Sequence, residues 1–120
     1  MSQFSVDDRR QLAETDEVHV GSKPGQRIPI WIVVDGDHVY IRSVKGPAGK
    51  WYQALSTNQP FTLHGPSSQW SIASEPVTDE AEISRVNDAL NRKYRKRWPG
   101  PTDAMLRPEV LPTTLRIQPK

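Results

Sequence analysis

The chain has 120 residues, a formal net charge of +2, 11 prolines and no cysteine. That length suits one domain built on one hydrophobic core. The missing thiols exclude disulfides, thiolate nucleophiles and cysteine-based zinc sites, and so small a net charge does not by itself argue for nucleic acid.

Ser5 ahead of Asp7 and Asp8 has the form of an N-cap with an acidic first turn, so a short helix is expected as far as Glu14. The first residues, Met1 to Ser5, lack the basic start and apolar run of a signal peptide. No apolar run is long enough to cross a bilayer, so a soluble cytoplasmic protein without a membrane partner is expected. Val18 and Val20 alternate with polar neighbours, as in a strand. A basic turn follows: Gly21-Ser22-Lys23-Pro24-Gly25-Gln26-Arg27. Ile28 to Val34 is almost continuously apolar and predicts one strand covered on both faces, with Pro29 at its start or at a bulge. Asp35-Gly36 marks a tight hairpin. Val39, Ile41 and Ser43 then alternate with His38, Tyr40 and Arg42 in the returning strand.

Lys45, Gly46 and Lys50 form a second basic turn, ahead of a short helix from Trp51 to Thr57. Phe61 and Leu63 predict a strand, Gly65 to Ser68 a turn, and Trp70 and Ile72 a further strand. The clearest helix runs from Thr78 to about Arg97. Thr78 or Asp79 caps it, Ile83, Val86, Leu90 and Tyr94 form its apolar stripe, and its last turn is basic. Pro99 and Gly100 should end it. The later prolines predict an extended, irregular segment closing on one last strand at Leu115 and Ile117. The expected organisation is a single domain, residues 1–120: an N-terminal helical segment over 1–16, a core plus helix over 17–98, and a proline-rich segment over 99–120. Five or six short strands predict a mainly β fold, a barrel or sandwich with the long helix packed on it.

The turn at Gly21–Arg27, followed by Pro29, Ile30 and Trp31, resembles the flavin- and deazaflavin-binding split β-barrel superfamily. Its pyridoxamine-phosphate-oxidase-like and deazaflavin-dependent nitroreductase-like members come closest, and the latter have that pattern. A second block, Trp51, Tyr52, Leu55, Asn58 and Pro60, matches the same family's Trp-Tyr-x-x-Leu-x-x-Asn-x-Pro motif. The overall likeness is closest to a domain-of-unknown-function family within that superfamily. The resemblance implies an α+β split β-barrel of about six strands, a homodimer, and FMN or a deazaflavin at the subunit interface. Ser22 stands where the pattern has Arg, and Pro24 where it has a small hydroxyl residue, so one phosphate contact and one hydroxyl donor are lost.

Such a cofactor needs cations and backbone donors for its phosphate. Lys23, Arg27, Arg42, Lys45 and Lys50 are the candidates, with Gly25 and Gly46 allowing close backbone approach and Ser43 offering a hydroxyl. Trp31, Tyr40, Trp51, Tyr52 and Trp70 are candidates to flank the ring. Trp51 is the best placed, and Trp31 and Trp70 read more readily as core. His19, His38 and His64 fall on three predicted strands, with no metal-ligand spacing among them. Arg92 to Arg97 reads as charge complementing a helix end rather than as a nucleic-acid patch.

The sequence contains no Walker, Gly-x-Ser-x-Gly or His-Glu-x-x-His motif and no protein nucleophile. An enzyme built on it would leave the chemistry to its cofactor, as an oxidoreductase acting by hydride transfer. The alternatives are a non-catalytic relative that has lost the cofactor or binds another anionic ligand, and a small nucleic-acid-binding barrel.

Overall fold

In the computed structural model, residues 3–57 and 59–120 are described. Asn58 of the second sequence block lies outside them. The described residues form helices α1 (Val6–Glu14), α2 (Lys50–Ser56), α3 (Glu80–Tyr94) and α4 (Pro99–Met105). The strands are β1 (Val18–Gly21), β2 (Ile28–Ile30), β3 (Val33–Asp35), β4 (His38–Ile41), β5 (Phe61–His64), β6 (Gln69–Pro76) and β7 (Leu115–Pro119). All seven strands join one sheet in the order β2-β1-β5-β6-β7-β4-β3, and every pairing is antiparallel. This is an α+β split β-barrel.

The split lies in the apolar run that reads as one strand. Ile28–Ile30 pairs with β1 at one edge of the sheet, and Val33–Asp35 pairs with β4 at the other. Trp31 and Ile32 join these outermost strands, so the sheet curls until its two edges are linked. The expectation of a single strand is therefore corrected to two. The expectation of cover on both faces holds only for part of the run: Ile30 and Ile32 enter the barrel interior and Val33 packs under α3, while Pro29 in β2 is exposed.

Alternation fills the interior. Val18, Val20, Phe61, Leu63, Leu115 and Ile117 are buried on it. A second apolar layer lies between the sheet and α3, where Val86, Leu90 and Tyr94 carry the helical stripe. The helix starts are capped as the sequence predicts. Ser5 Oγ accepts from Asp8 N at 3.0 Å, and Asp79 Oδ2 accepts from Glu82 N at 2.9 Å.

Backbone groups freed at the split need partners, and the last turn of α3 supplies them. The Tyr94 hydroxyl accepts from Ile32 N at 3.2 Å and donates to Asp16 O at 2.7 Å. Lys93 Nζ donates to Ile32 O at 2.6 Å and to Leu12 O at 3.0 Å. Burial pushes the Tyr94 phenol up to about 12 and pulls the Lys93 amine down to about 8. Lys93 thus lies in the last turn of α3, as expected from sequence, and also ties that turn to Ile32 and to α1. Tyr94→Phe should keep the ring packing and strand two polar groups. A loss of about 1–3 kcal/mol in unfolding free energy is expected from a urea titration.

Behind the sheet, Glu82 on α3 gathers Tyr40 and Arg116. The Tyr40 hydroxyl donates to Glu82 Oε2 at 2.6 Å, and Arg116 Nη2 lies 2.8 Å from both carboxylate oxygens. Burial works against the Glu82 carboxylate, but the bonds from Tyr40 and Arg116 outweigh it and hold its pKa below the usual range.

The proline-rich tail is not irregular. Pro99 opens α4, where a fixed φ and a missing N–H cost nothing in the first turn. Thr102 bonds back to Trp98 O through its N at 3.0 Å and its Oγ1 at 2.8 Å, which fixes Trp98 at the helix start. The last strand does not sit at an edge: β7 lies between β6 and β4.

Candidate functional site

A cavity of about 590 Å³ opens beside the split, within the range of small-molecule sites. The apolar lining comes from four places. The split gives Ile30 and Trp31, α2 gives Trp51, the segment after β4 gives Val44, and α4 with its leading residue gives Trp98, Pro101 and Met105. Trp31 stacks on Tyr94, with ring centres 3.9 Å apart and planes within 5°. Trp98 lies 6.1 Å from Trp31 and carries the Arg97 guanidinium 4.4 Å above its ring. Val44 and Trp98 stay 42% and 37% exposed, so an apolar rim faces solvent.

Arg42 also lines this cavity and is only 2% exposed. Its position directly after β4 turns it toward α3 and the segment before β7. Nε donates to Thr114 Oγ1 at 2.8 Å, and Nη1 donates to Asn87 Oδ1 at 2.7 Å and to Met105 O at 3.0 Å. All three acceptors are neutral. Nη2 finds no hydrogen-bond partner among the described residues. Burial pulls the guanidinium down to about 10, so it stays charged at neutral pH. Asp16 and Glu17 line the cavity too. Asp16 is paired with Arg97, and the nearest basic group to Glu17 is His19 at 3.8 Å.

Two kinds of comparison bear on this chain. A family model described as an uncharacterized protein conserved in bacteria, DUF2255, matches residues 8–117. The chain belongs to the DUF2255 family. Among solved structures, the DUF2255 chain is similar to an FAD-binding protein from Mesorhizobium loti, at 18% identity over 100% of this chain and 92% of that one, with a TM-score of 0.60. At that identity the likeness establishes the shared fold. No curated protein matches the sequence.

The candidates read from the DUF2255 sequence fall into separate groups. Arg42 and Trp51 line the tryptophan cavity. Lys45 and Lys50 are exposed, next in the chain to the lining residues Val44 and Trp51. Ser43 and Gly46 are buried and hold the loop itself. Ser43 Oγ donates to Gly46 O at 2.8 Å, Ser43 N donates to Thr113 Oγ1 at 3.0 Å, and Gly46 has a φ of 67° that favours glycine.

Lys23 and Gly25 border a second cleft of about 360 Å³, with Thr62, His64 and Ser71. Arg27 is exposed and close enough to His64 to add to burial in lowering that imidazole's pKa. The two basic turns, both offered from sequence for one phosphate, therefore lie beside different clefts of the chain. The sheet register explains this, since β1 and β4 are separated by β5, β6 and β7.

Among the aromatic candidates, Trp31 proves to be both packed and cavity-lining. Trp70 packs edge-on against Phe4 at 5.3 Å, and Tyr40 belongs to the Glu82 network. The register brings His19 opposite His64, while His38 lies on β4. Among the described residues no group of three or more His, Cys, Asp or Glu side chains is arranged for a metal, and no helix is long and apolar enough to cross a membrane. The sequence reading missed Trp98 and Met105. Their signal was present but weak: a tryptophan directly before Pro-Gly-Pro, which is also how a helix start can read.

Proposed function

We propose that this protein binds a flavin-type cofactor, FMN or a deazaflavin, with the ring system in the tryptophan cavity, and that it works as a homodimeric oxidoreductase. The observation that carries this reading is the cavity itself: three tryptophans and a buried arginine around about 590 Å³ in a split barrel. The group fits the residues present. Trp31, Trp51 and Trp98 offer flat apolar faces for a planar ring, and Arg42 Nη2 is a donor with no protein partner among the described residues. That the Mesorhizobium loti protein is an FAD-binding protein supports the same ligand class for this fold.

When bound, such a ring supplies hydride transfer. The chain's part is to grip the ring, exclude water with its indoles, and leave room on the open side for a second molecule. In a dimer, the exposed rim at Val44 and Trp98 would be covered, and Lys23 and Arg27 of the other subunit would be free to meet the phosphate.

Titration with FMN, riboflavin and a deazaflavin tests this proposal by absorbance and tryptophan fluorescence. Saturable change with at least one is expected, and its absence with all would end the flavin reading. The Lys23→Ala/Arg27→Ala double variant should bind FMN more than about tenfold more weakly, since each charge-assisted bond is worth about 1.5–3 kcal/mol. Its affinity for riboflavin, which has no phosphate, should not change. Equal FMN affinity in the folded variant would remove this turn from the site.

A further inference from the structure

Arg42 is the unexplained group of this fold. A buried cation without a counter-charge is costly, and structural arginines in protein interiors are normally paired with carboxylates. Here the guanidinium has three neutral acceptors, no acidic side chain within ion-pair distance among the described residues, and one nitrogen without a partner. Arg42 is one of the residues lining the cavity, and its unpartnered nitrogen is buried. The two acids on that wall do not neutralise it: Asp16 is held by Arg97, and Glu17 is half exposed near His19.

We infer that the tryptophan cavity is a site for a planar, ring-bearing anion whose negatively charged oxygen docks on Arg42. The indoles supply flat apolar contact, and the free guanidinium nitrogen supplies a charge-assisted bond in a place water does not screen well. Two neutral side chains and the Met105 carbonyl fix the other guanidinium nitrogens, so a ligand has only to uncover the free one. Two sources of this chemistry fit. One is the carboxylate of an aromatic acid acting as substrate. The other is the pyrimidine edge of a flavin-type ring, which becomes anionic on two-electron reduction. The inference uses the cavity assigned above to a flavin but does not depend on that assignment.

The test compares 2-naphthoate with its neutral isostere 2-naphthamide, by calorimetry and tryptophan quenching on the full-length protein near pH 7.5. The wild type should favour the anion by at least roughly tenfold, from one charge-assisted bond. Arg42→Met should bind both probes alike, and Arg42→Lys should keep part of the preference. No preference in the wild type, no binding of either probe, or a preference that survives in Arg42→Met would each overturn the inference. The first two outcomes need no variant, so a misfolded variant cannot hide a failure.

Riboflavin, oxidised and then reduced with dithionite, separates the two sources. Tighter binding of the reduced form that depends on Arg42 points to the flavin edge. Arg42-dependence confined to naphthoate points to a substrate carboxylate. Naphthoate preference without any riboflavin binding removes the flavin and leaves the anion site. Riboflavin binding without any charge preference does the reverse.

Discussion

Replacing Glu82 with alanine is expected to lower the unfolding free energy by about 2–4 kcal/mol, the largest stability loss foreseen for a single polar side chain here. The carboxylate accepts from both Tyr40 and Arg116, which tie β4 and β7 to α3. Removing it strands a phenol inside the protein and leaves a cation that is only 30% exposed at its side chain. Arg116 retains a bond to Glu75 at 3.0 Å and some solvent, which keeps the loss below that of a fully enclosed ion pair.

The pH dependence has a definite sign. The folded-state pKa of Glu82 lies below its ordinary value of 4.5, so its contribution is complete above that pH and is lost as pH falls through the lower folded value. Urea titrations at pH 7 and pH 3 should therefore show a wider gap between wild type and Glu82→Ala at pH 7. An equal gap at both would mean that the carboxylate is not held in its charged form.

The Trp51→Ala/Trp98→Ala double variant should lose about a hundredfold in flavin affinity, roughly tenfold for each indole. Both indoles are already partly covered, so the gain is mainly the stacking itself, about 0.5–1.5 kcal/mol for each, and about 1.4 kcal/mol, near the top of that range, is a factor of ten. Neither indole is enclosed before ligand arrives, so the fold should tolerate the change. Trp51 is half-buried on α2, and Trp98 stands 37% exposed ahead of α4. A thermal melt close to that of the wild type would show this, and the loss of affinity could then be read as loss of the site. Unchanged flavin binding would move the ring elsewhere.

Local patterns made most of the fold legible. Capping by Ser5 and Asp79, alternation at Phe61 and Leu63, and the stripe through Ile83, Val86, Leu90 and Tyr94 are signals carried within a few residues. The division of Ile28–Asp35 was not legible, because periodicity tells how deeply a strand is buried and not which partner each half pairs with. The helix at Pro99 was missed because proline ends one helix and begins another with equal ease.

The site divides in the same way. Trp51 and Arg42 were named from sequence, but the Arg42 guanidinium is defined by Thr114, Asn87 and Met105, which lie 45 to 72 residues away. Ser43 and Gly46 looked like ligand contacts because a loop that must hold its own shape uses the same residue types.

The central place of β7 has a consequence for assembly. Until β7 pairs, β6 and β4 each expose an unpaired edge, and no strand pairing joins the two halves of the sheet. Both open edges are closed by this one strand, so the barrel cannot be completed before it docks.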